Sequence, residues 1–177
     1  MGLVIAKMAI AETARLVLRE LTQDDAPFIL ELLNEPAFIR FIGDRAVRNI
    51  ENAQDYIRLG PQASYARHGF GLWLVEQKDS REPTGICGLV KRDTLPDIDI
   101  GYAFLARFWS QGFAFESASA VKEHALRNLG LKRLVGVTDQ DNWASIKVLE
   151  KIGLRYERLV KISENGPELK LFGIDFS

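Results

Sequence analysis

The hydrophobic period of this chain changes near its middle, and that change limits the folds open to it. Between residues 70 and 105 apolar residues come in short runs. Phe70 to Val75 is one run, Asp79 to Pro83 reads as a turn, Thr84 to Lys91 is a second run, and Leu95-Pro96 turns again. Ile98, Ile100 and Tyr102 then alternate with Asp97, Asp99 and Gly101. A period of two sends successive side chains to opposite faces, so a third strand runs to about Leu105. Beyond Gly112 the period turns helical: Ala114, Ala118, Val121, Ala125 and Leu129 recur three or four residues apart, up to the C-cap candidate Gly130. Short strands joined by short turns predict an antiparallel meander, followed by a long helix.

The flanks extend the pattern. Arg15 to Arg19 reads as a strand. Thr22 to Asp25 supplies N-cap candidates for a helix with Pro27 in its first turn and a stripe of Phe28, Ile29, Leu32 and Leu33. A second short helix spans about 49–59 with Ile50, Ala53 and Ile57 on one face, broken or bent by Gly60-Pro61. After the long helix, Leu134 to Val137 is a strand. Asp141 or Asn142 caps a helix that runs to Ile152 and ends at Gly153. Residues 155–163 and 168–176 flank Asn165-Gly166 as a hairpin. The order strand, two helices, three strands, helix, strand, helix, two strands predicts an α+β fold with a single mixed, mainly antiparallel sheet flanked by helices. No repeat or linker divides the chain, so residues 1–177 read as one domain, with 1–10 a loose leader or an alternative start ahead of Met8.

Composition excludes several classes. Hydrophobic residues make up 47% of the chain, enough for a packed core. Lys plus Arg is 23 and Asp plus Glu is 24, a balance that argues against nucleic acid as the main partner. The lone Cys87 sits in an apolar run, and with the two histidines it makes no metal-ligand spacing, so no metal is expected. No apolar run approaches the roughly 20 residues of a membrane span, and the N-terminal stretch lacks a long apolar signal region. Cytoplasmic location is the expectation.

Chemistry concentrates where the period switches. Trp109-Ser110-Gln111-Gly112-Phe113-Ala114 joins a strand to a helix. A helix start presents free backbone N–H groups and about half a positive charge, and Gly112 lets an anion approach the main chain. Phe113 after Gly112 rules out a Gly-Lys-Ser/Thr phosphate loop, and the three spaced glycines of a dinucleotide fingerprint are missing. The bland alternative, a permissive glycine at a helix start, carries about equal weight on this stretch alone.

A second segment shifts that balance. Asn142-Trp143-Ala144-Ser145-Ile146-Lys147-Val148-Leu149-Glu150-Lys151-Ile152-Gly153-Leu154 resembles the Asn-x-x-Ser-x-x-x-Leu-Glu-Lys-x-Gly-Phe signature of the GNAT N-acetyltransferases. Asp99-Ile100-Gly101-Tyr102, the Trp109 to Ala114 run, and Thr13-Ala14-Arg15-Leu16-Val17-Leu18-Arg19 resemble, in the same order, elements of its RimJ/RimL branch. That branch is named for N-terminal acetylation of ribosomal proteins. Ser110 departs from the glycine the branch prefers, and Phe115-Glu116 matches its Thr-Glu loosely. The resemblance implies acetyl-CoA as co-substrate, with Ser110, Gln111, Gly112, Phe113 and Ala114 around the pyrophosphate. It also implies main-chain groups near Phe104 and Leu105 along the pantetheine, and Asn142 on the cofactor. It makes Ser145 the candidate proton donor and Asp99 the candidate base, through water. Tyr102 is an alternative donor. Ser145 and Asp99 keep structural alternatives, a helix-start hydrogen bond and an ordinary strand residue.

The implied activity is transfer of an acetyl group to a primary amine, foremost a protein or peptide N-terminal α-amine. The alternatives are a small amine such as a polyamine or antibiotic, or an acyl-CoA-binding module without turnover. A cofactor-free interaction protein is a third reading. A monomer or a homodimer is expected.

Overall fold

A computed structural model describes residues 8–177. The strands are β1 (Ala9–Glu12), β2 (Leu16–Arg19), β3 (Leu72–Gln77), β4 (Pro83–Val90), β5 (Asp99–Phe104), β6 (Arg133–Thr138), β7 (Arg155–Val160) and β8 (Leu169–Asp175). The helices are α1 (Ala26–Leu33), α2 (Pro36–Phe41), α3 (Ile50–Ile57), α4 (Ala63–His68), α5 (Phe113–Arg127) and α6 (Trp143–Lys151). The strands form one sheet in the order β1-β2-β3-β4-β5-β6-β8-β7. Every pairing is antiparallel except β5 with β6, which is parallel. The α+β class and the mixed, mainly antiparallel sheet are therefore as the pattern predicts.

Three local features go beyond the sequence reading. Residues 1–7 of the expected leader lie outside the described residues, whereas Ala9 and Ile10 open β1, which pairs with β2. Pro36 starts a further helix, α2, since its missing N–H costs nothing in a first turn. Gly60-Pro61 does not end the helical run. It lies in a widened π turn, Arg58–Gln62, which leads directly into α4, and burial of Pro61 holds that turn against the sheet. Gly69, at φ +75°, terminates the run in the left-handed conformation that a glycine adopts cheaply.

The two sheet faces are set by register. Trp73, Cys87 and Tyr102 are cross-strand neighbours. They face α5 and α6, since Trp73 meets the ring of His124 edge-on at 5.3 Å and Tyr102 reaches Ser145. Leu72, Gly88 and Gly101 are also neighbours in register, and a Cβ on Gly101 would touch Leu72 and Val90. That face lies toward α3 and α4. Leu16, Leu18, Ile29, Leu32, Leu74, Ile100 and Leu134 are buried in one continuous core. Burying each such side chain is worth about 1.5–3 kcal/mol against the ordering entropy. A buried ionic group ties β2 to β3 and to the chain before α1: Arg19 makes a two-pronged pair with Asp25, both bonds 2.9 Å, and a 3.1 Å bond to Glu76.

Candidate active site

The parallel neighbours β5 and β6 are in register only at Asp99 and Val135. The Val135 N–H donates to Ile98 O, and the next amide in line, Val137 N–H, goes to the side chain of Asp99 at 3.2 Å. A carboxylate thus takes the bond that would have continued the ladder. Beyond it the strands diverge, and a gap opens in the sheet. Alternation of the β4–β5 ladder decides which main-chain groups face the gap. The Leu105 N–H donates to Thr84 O on the β4 side, and the Leu105 carbonyl accepts from Phe108 N–H. Parity then turns the N–H groups of Tyr102 and Phe104 toward β6. The Phe104 carbonyl accepts the indole N–H of Trp109 at 2.9 Å. Of the two expected main-chain positions, Phe104 faces the gap and Leu105 is engaged on the other side.

Asp99 is almost fully buried, and its partner is Arg92, 2.8 Å away. Burial pushes its carboxyl up to about 6, against the opposing pull of the Arg92 guanidinium and the Val137 N–H. It is ionised at neutral pH but more basic than an ordinary aspartate. Tyr102 points from the other face of β5, and its hydroxyl lies 2.9 Å from Ser145 O and 3.1 Å from Ser145 Oγ. Burial raises the phenol, against the contact with Ser145, so it stays protonated at neutral pH. Ser145 owes its position to Asn142, whose side-chain oxygen caps α6 by accepting the Ser145 N–H at 3.2 Å. The structure thus brings Tyr102 and Ser145 together, on the opposite side of β5 from the strand face that carries Asp99.

The turn before α5 has the shape that its sequence suggests. Ser110 (φ +61°) and Gly112 (φ +82°) both adopt left-handed conformations on either side of Gln111. Such turns aim successive N–H groups at one point. The first helical bond of α5 is Glu116 N–H to Gly112 O, so the amides of Phe113, Ala114 and Phe115 precede the ladder and point outward. A Cβ on Gly112 would project toward Arg15, 3.3 Å from its Nη2. Arg15 is the residue the sequence reading left without a role. Its guanidinium lies 4.6 Å over the Phe113 ring and bonds Glu116 at 2.7 Å. Burial would raise Glu116, but hydrogen bonds from Thr13 and Arg15 outweigh it and hold the carboxyl below its usual range. The one acidic side chain in the first turn is thereby neutralised, and a basic one stands beside the outward amides. Trp109, Ser110, Gln111 and Gly112 are exposed, as an anion-binding turn requires.

A cavity of about 310 Å³ opens on the α3–α4 face of the sheet, lined by Tyr56, Pro61, Leu72 and Val90 among others. Val90 is the register partner of Asp99, so the cavity wall adjoins the foot of the gap. Neither histidine joins the gap: His124 packs on Trp73 and His68 stacks on Phe70. Burial pushes the Cys87 thiol up to about 12, an inert packing residue. Among the described residues no group of three or more His, Cys, Asp or Glu is placed to hold a metal ion. No helix among them is long and apolar enough to cross a membrane.

Comparison with known proteins agrees with this geometry. Residues 15–155 match the family model of the acetyltransferase (GNAT) domain. The uncharacterized N-acetyltransferase YoaA of Bacillus subtilis is 31% identical over 153 residues, covering 86% of each chain. An acetyltransferase from Agrobacterium tumefaciens superposes with a TM-score of 0.81 at 22% identity, over 99% of both chains. RimL, a ribosomal L7/L12 alpha-N-protein acetyltransferase solved in complex with coenzyme A, also superposes at 0.81, with 20% identity over 95% of this chain and 98% of its own. At these identities the two structures speak for the fold alone. The family match over most of the chain, with YoaA beside it, identifies this protein as a member of the GNAT family and an acetyl-CoA-dependent acetyltransferase.

Proposed function

We propose that the protein acetylates the α-amine at the N terminus of a protein or peptide, at the gap between β5 and β6. The observation that carries this reading is the juxtaposition at the gap. An outward-facing helix start lies at one end, a buried Tyr102–Ser145 pair on one face, and Asp99 with an adjoining cavity on the other. Acetyl-CoA supplies the activated thioester. The residues present suit it: the amides of the Ser110 to Ala114 turn, with Gln111, Gly112 and Phe113 and with Arg15 beside them, would hold its pyrophosphate. Each such bond to a charged oxygen is worth about 1.5–3 kcal/mol. The main chain at Phe104, more than at Leu105, would line the pantetheine, and Asn142 would orient α6 against it.

In this reading the chain's own groups divide the proton work. Tyr102, with Ser145 beside its hydroxyl, gives a proton to the departing sulfur. Asp99 receives the amine's proton through water, helped by its raised basicity. Positioning of the amine against the thioester supplies most of the acceleration.

The α-amine follows from how little base the site contains. An α-amine, with a pKa of about 7.7–8.0, is neutral to the order of a tenth at pH 7, while a lysine near 10.4 is neutral less than about 0.1% of the time. That gap is roughly 2.5 units, or about 3.4 kcal/mol. One carboxylate, already bonded to Arg92 and Val137, is a modest resource against it. RimL, by its name, acts on a protein α-amine, and its fold likeness is compatible with the same acceptor class. The test is acetyl-CoA consumption against a mixed panel of free-N-terminal peptides, N-blocked lysine peptides and small amines, with products assigned by mass spectrometry. Fastest acetylation of the free-N-terminal peptides is expected. Rapid reaction of a small amine with none of any peptide would overturn the reading.

A further inference from the structure

The cavity beside Asp99 has a charge that the chain as a whole does not. The formal net charge is −1, yet the cavity is lined by Arg67, His68 and Lys91 and by no carboxylate. Its remaining wall is largely apolar. Arg45 stands near as well, since its charge opposes the burial-driven rise of the Tyr56 phenol that lines the cavity. Among the described residues neither Arg67 nor Arg45 is paired with a carboxylate. Lys91 is occupied differently: its ammonium donates to the carbonyls of Arg92, Leu95 and Pro96 and so fixes the loop before β5. Nearby arginines outside the lining are neutralised, Arg48 by Asp44, Arg58 by Asp55 and Arg92 by Asp99. Arg67 on the cavity wall therefore keeps an uncompensated charge where these neighbours do not.

The cavity is also shaped for an acceptor. The π turn at Arg58–Gln62 bends the α3–α4 run over the sheet, and the absence of a side chain at Gly71 lets the Tyr65 ring and Pro61 approach: a Cβ there would lie 2.8 Å from the Tyr65 ring and 3.2 Å from Pro61 O. π turns inside helical runs are frequent at functional sites. The floor is formed by Leu72 on β3 and by Leu89 and Val90 on β4, and Val90 is the register partner of Asp99. A volume of about 310 Å³ is at the lower end of small-ligand sites and suits one or two side chains rather than a folded surface.

We propose that this cavity selects acceptors carrying a carboxylate close to the reacting amine, namely peptide N termini with Asp or Glu at the second or third residue. The proposal rests on the peptide-acceptor reading and adds its specificity. The amine is delivered to the Asp99 side of the gap while the carboxylate is held by Arg67 on the cavity wall, with Arg45 adding charge from a distance. Apolar contact with Leu72 and Val90 carries the stem of the acidic side chain.

The test uses three peptides identical except at the second residue, Glu, Gln or Lys, with free glutamate as a small-amine control. For the unchanged protein, kcat/KM is expected to favour Glu over Gln by about three- to tenfold and Gln over Lys by a similar factor. The preference should shrink at high salt, as exposed ion pairs do. Arg67→Glu is expected to reverse the order, and Arg45→Ala to weaken it. Both variants should keep the melting shift produced by coenzyme A, which reports the fold and the cofactor turn. Arg127→Glu, a charge change on the exposed part of α5, is expected to leave the preference alone. Equal rates on all three peptides, or a preference that Arg67→Glu leaves in place, would overturn the carboxylate proposal while leaving the peptide acceptor standing. Acetylation of free glutamate in an Arg67-dependent way with no peptide product would keep the carboxylate and overturn the peptide. No acetylation of any of the four would overturn both.

Discussion

Replacing Tyr102 with Phe separates a proton donor from a packing residue. The ring stays in place, because its neighbours Cys87 on β4 and the core around it are untouched, and only the hydroxyl is lost. Two contacts vanish, at 2.9 and 3.1 Å, both to Ser145. A net hydrogen bond is worth about 1 kcal/mol, so the fold should lose on the order of 1–2 kcal/mol, which for a chain of this length is a drop of several degrees in Tm. The catalytic effect should be larger. A general acid contributes typically 10²–10⁴-fold, about 2.7–5.4 kcal/mol off the barrier, and that loss should fall on kcat with KM for acetyl-CoA little changed. Ser145→Ala should cost less, since the hydroxyl of Tyr102 keeps its bond to the Ser145 carbonyl. Steady-state kinetics on both variants at pH 7, with a coenzyme A melting shift to verify the cofactor site, makes the comparison. If Tyr102→Phe turns over within about threefold of the unchanged protein, the sulfur leaves without a donor and the assignment of Tyr102 and Ser145 is wrong. If Ser145→Ala is the worse variant, the serine is the donor and the tyrosine supports it.

Three further outcomes are expected. Gly112→Val puts a branched Cβ at φ +82° and 3.3 Å from Arg15, so coenzyme A affinity measured by calorimetry should fall by more than about tenfold, while undiminished affinity would place the pyrophosphate elsewhere. Asp99 has its carboxyl raised from 3.8 to about 6, so its contribution favours the fold below the unfolded value and is lost as pH rises through 6. Most of the resulting difference falls between pH 4 and pH 7, so urea melts should show the unchanged protein losing about 2–3 kcal/mol relative to Asp99→Asn across that window, and parallel curves would refute the burial argument. Arg19→Met removes the cation from a buried group, taking both guanidinium bonds from Asp25; it should destabilise by about 3–5 kcal/mol, and a loss under 1 kcal/mol would mean that water replaces the pair.

What could be read in the sequence divides along physical lines. β3 and β4 were legible as short apolar runs because both of their faces are buried, β5 by its alternation, α5 and α6 by a period of about 3.6 residues, and the final hairpin by its Asn165-Gly166 turn. β1 was not, because its four residues, Ala9 to Glu12, form a short and partly exposed edge strand whose apolar residues do not alternate with polar ones. α2 has six residues and one of them buried, Phe38, too short a run to show a period. Gly60-Pro61 left two outcomes open, a break or a bend, because both residues disfavour helix locally; tertiary burial of Pro61 goes with the bend, and the run continues. The helix start at Gly112 was legible because its glycine, its flanking small residue and its place after a strand are all local. The pairing of Tyr102 with Ser145 spans 43 residues, and that of Arg15 with Glu116 about a hundred, so composition and spacing give no sign of either. The Thr-Ala-Arg-Leu opening was the available pointer to Arg15. The engagement of Leu105 with Thr84 follows from ladder parity, which needs the register as well as the strand.

The most direct measurement is where the acetyl group lands when both kinds of amine are offered in one molecule. A peptide with a free N terminus, glutamate at its second residue and an internal lysine is incubated with the protein and isotopically labelled acetyl-CoA at pH 7, and fragmentation mass spectrometry locates the label. The account predicts label on the α-amine, with lysine modification at the level of the enzyme-free control. Label on the lysine in preference to the α-amine would contradict it.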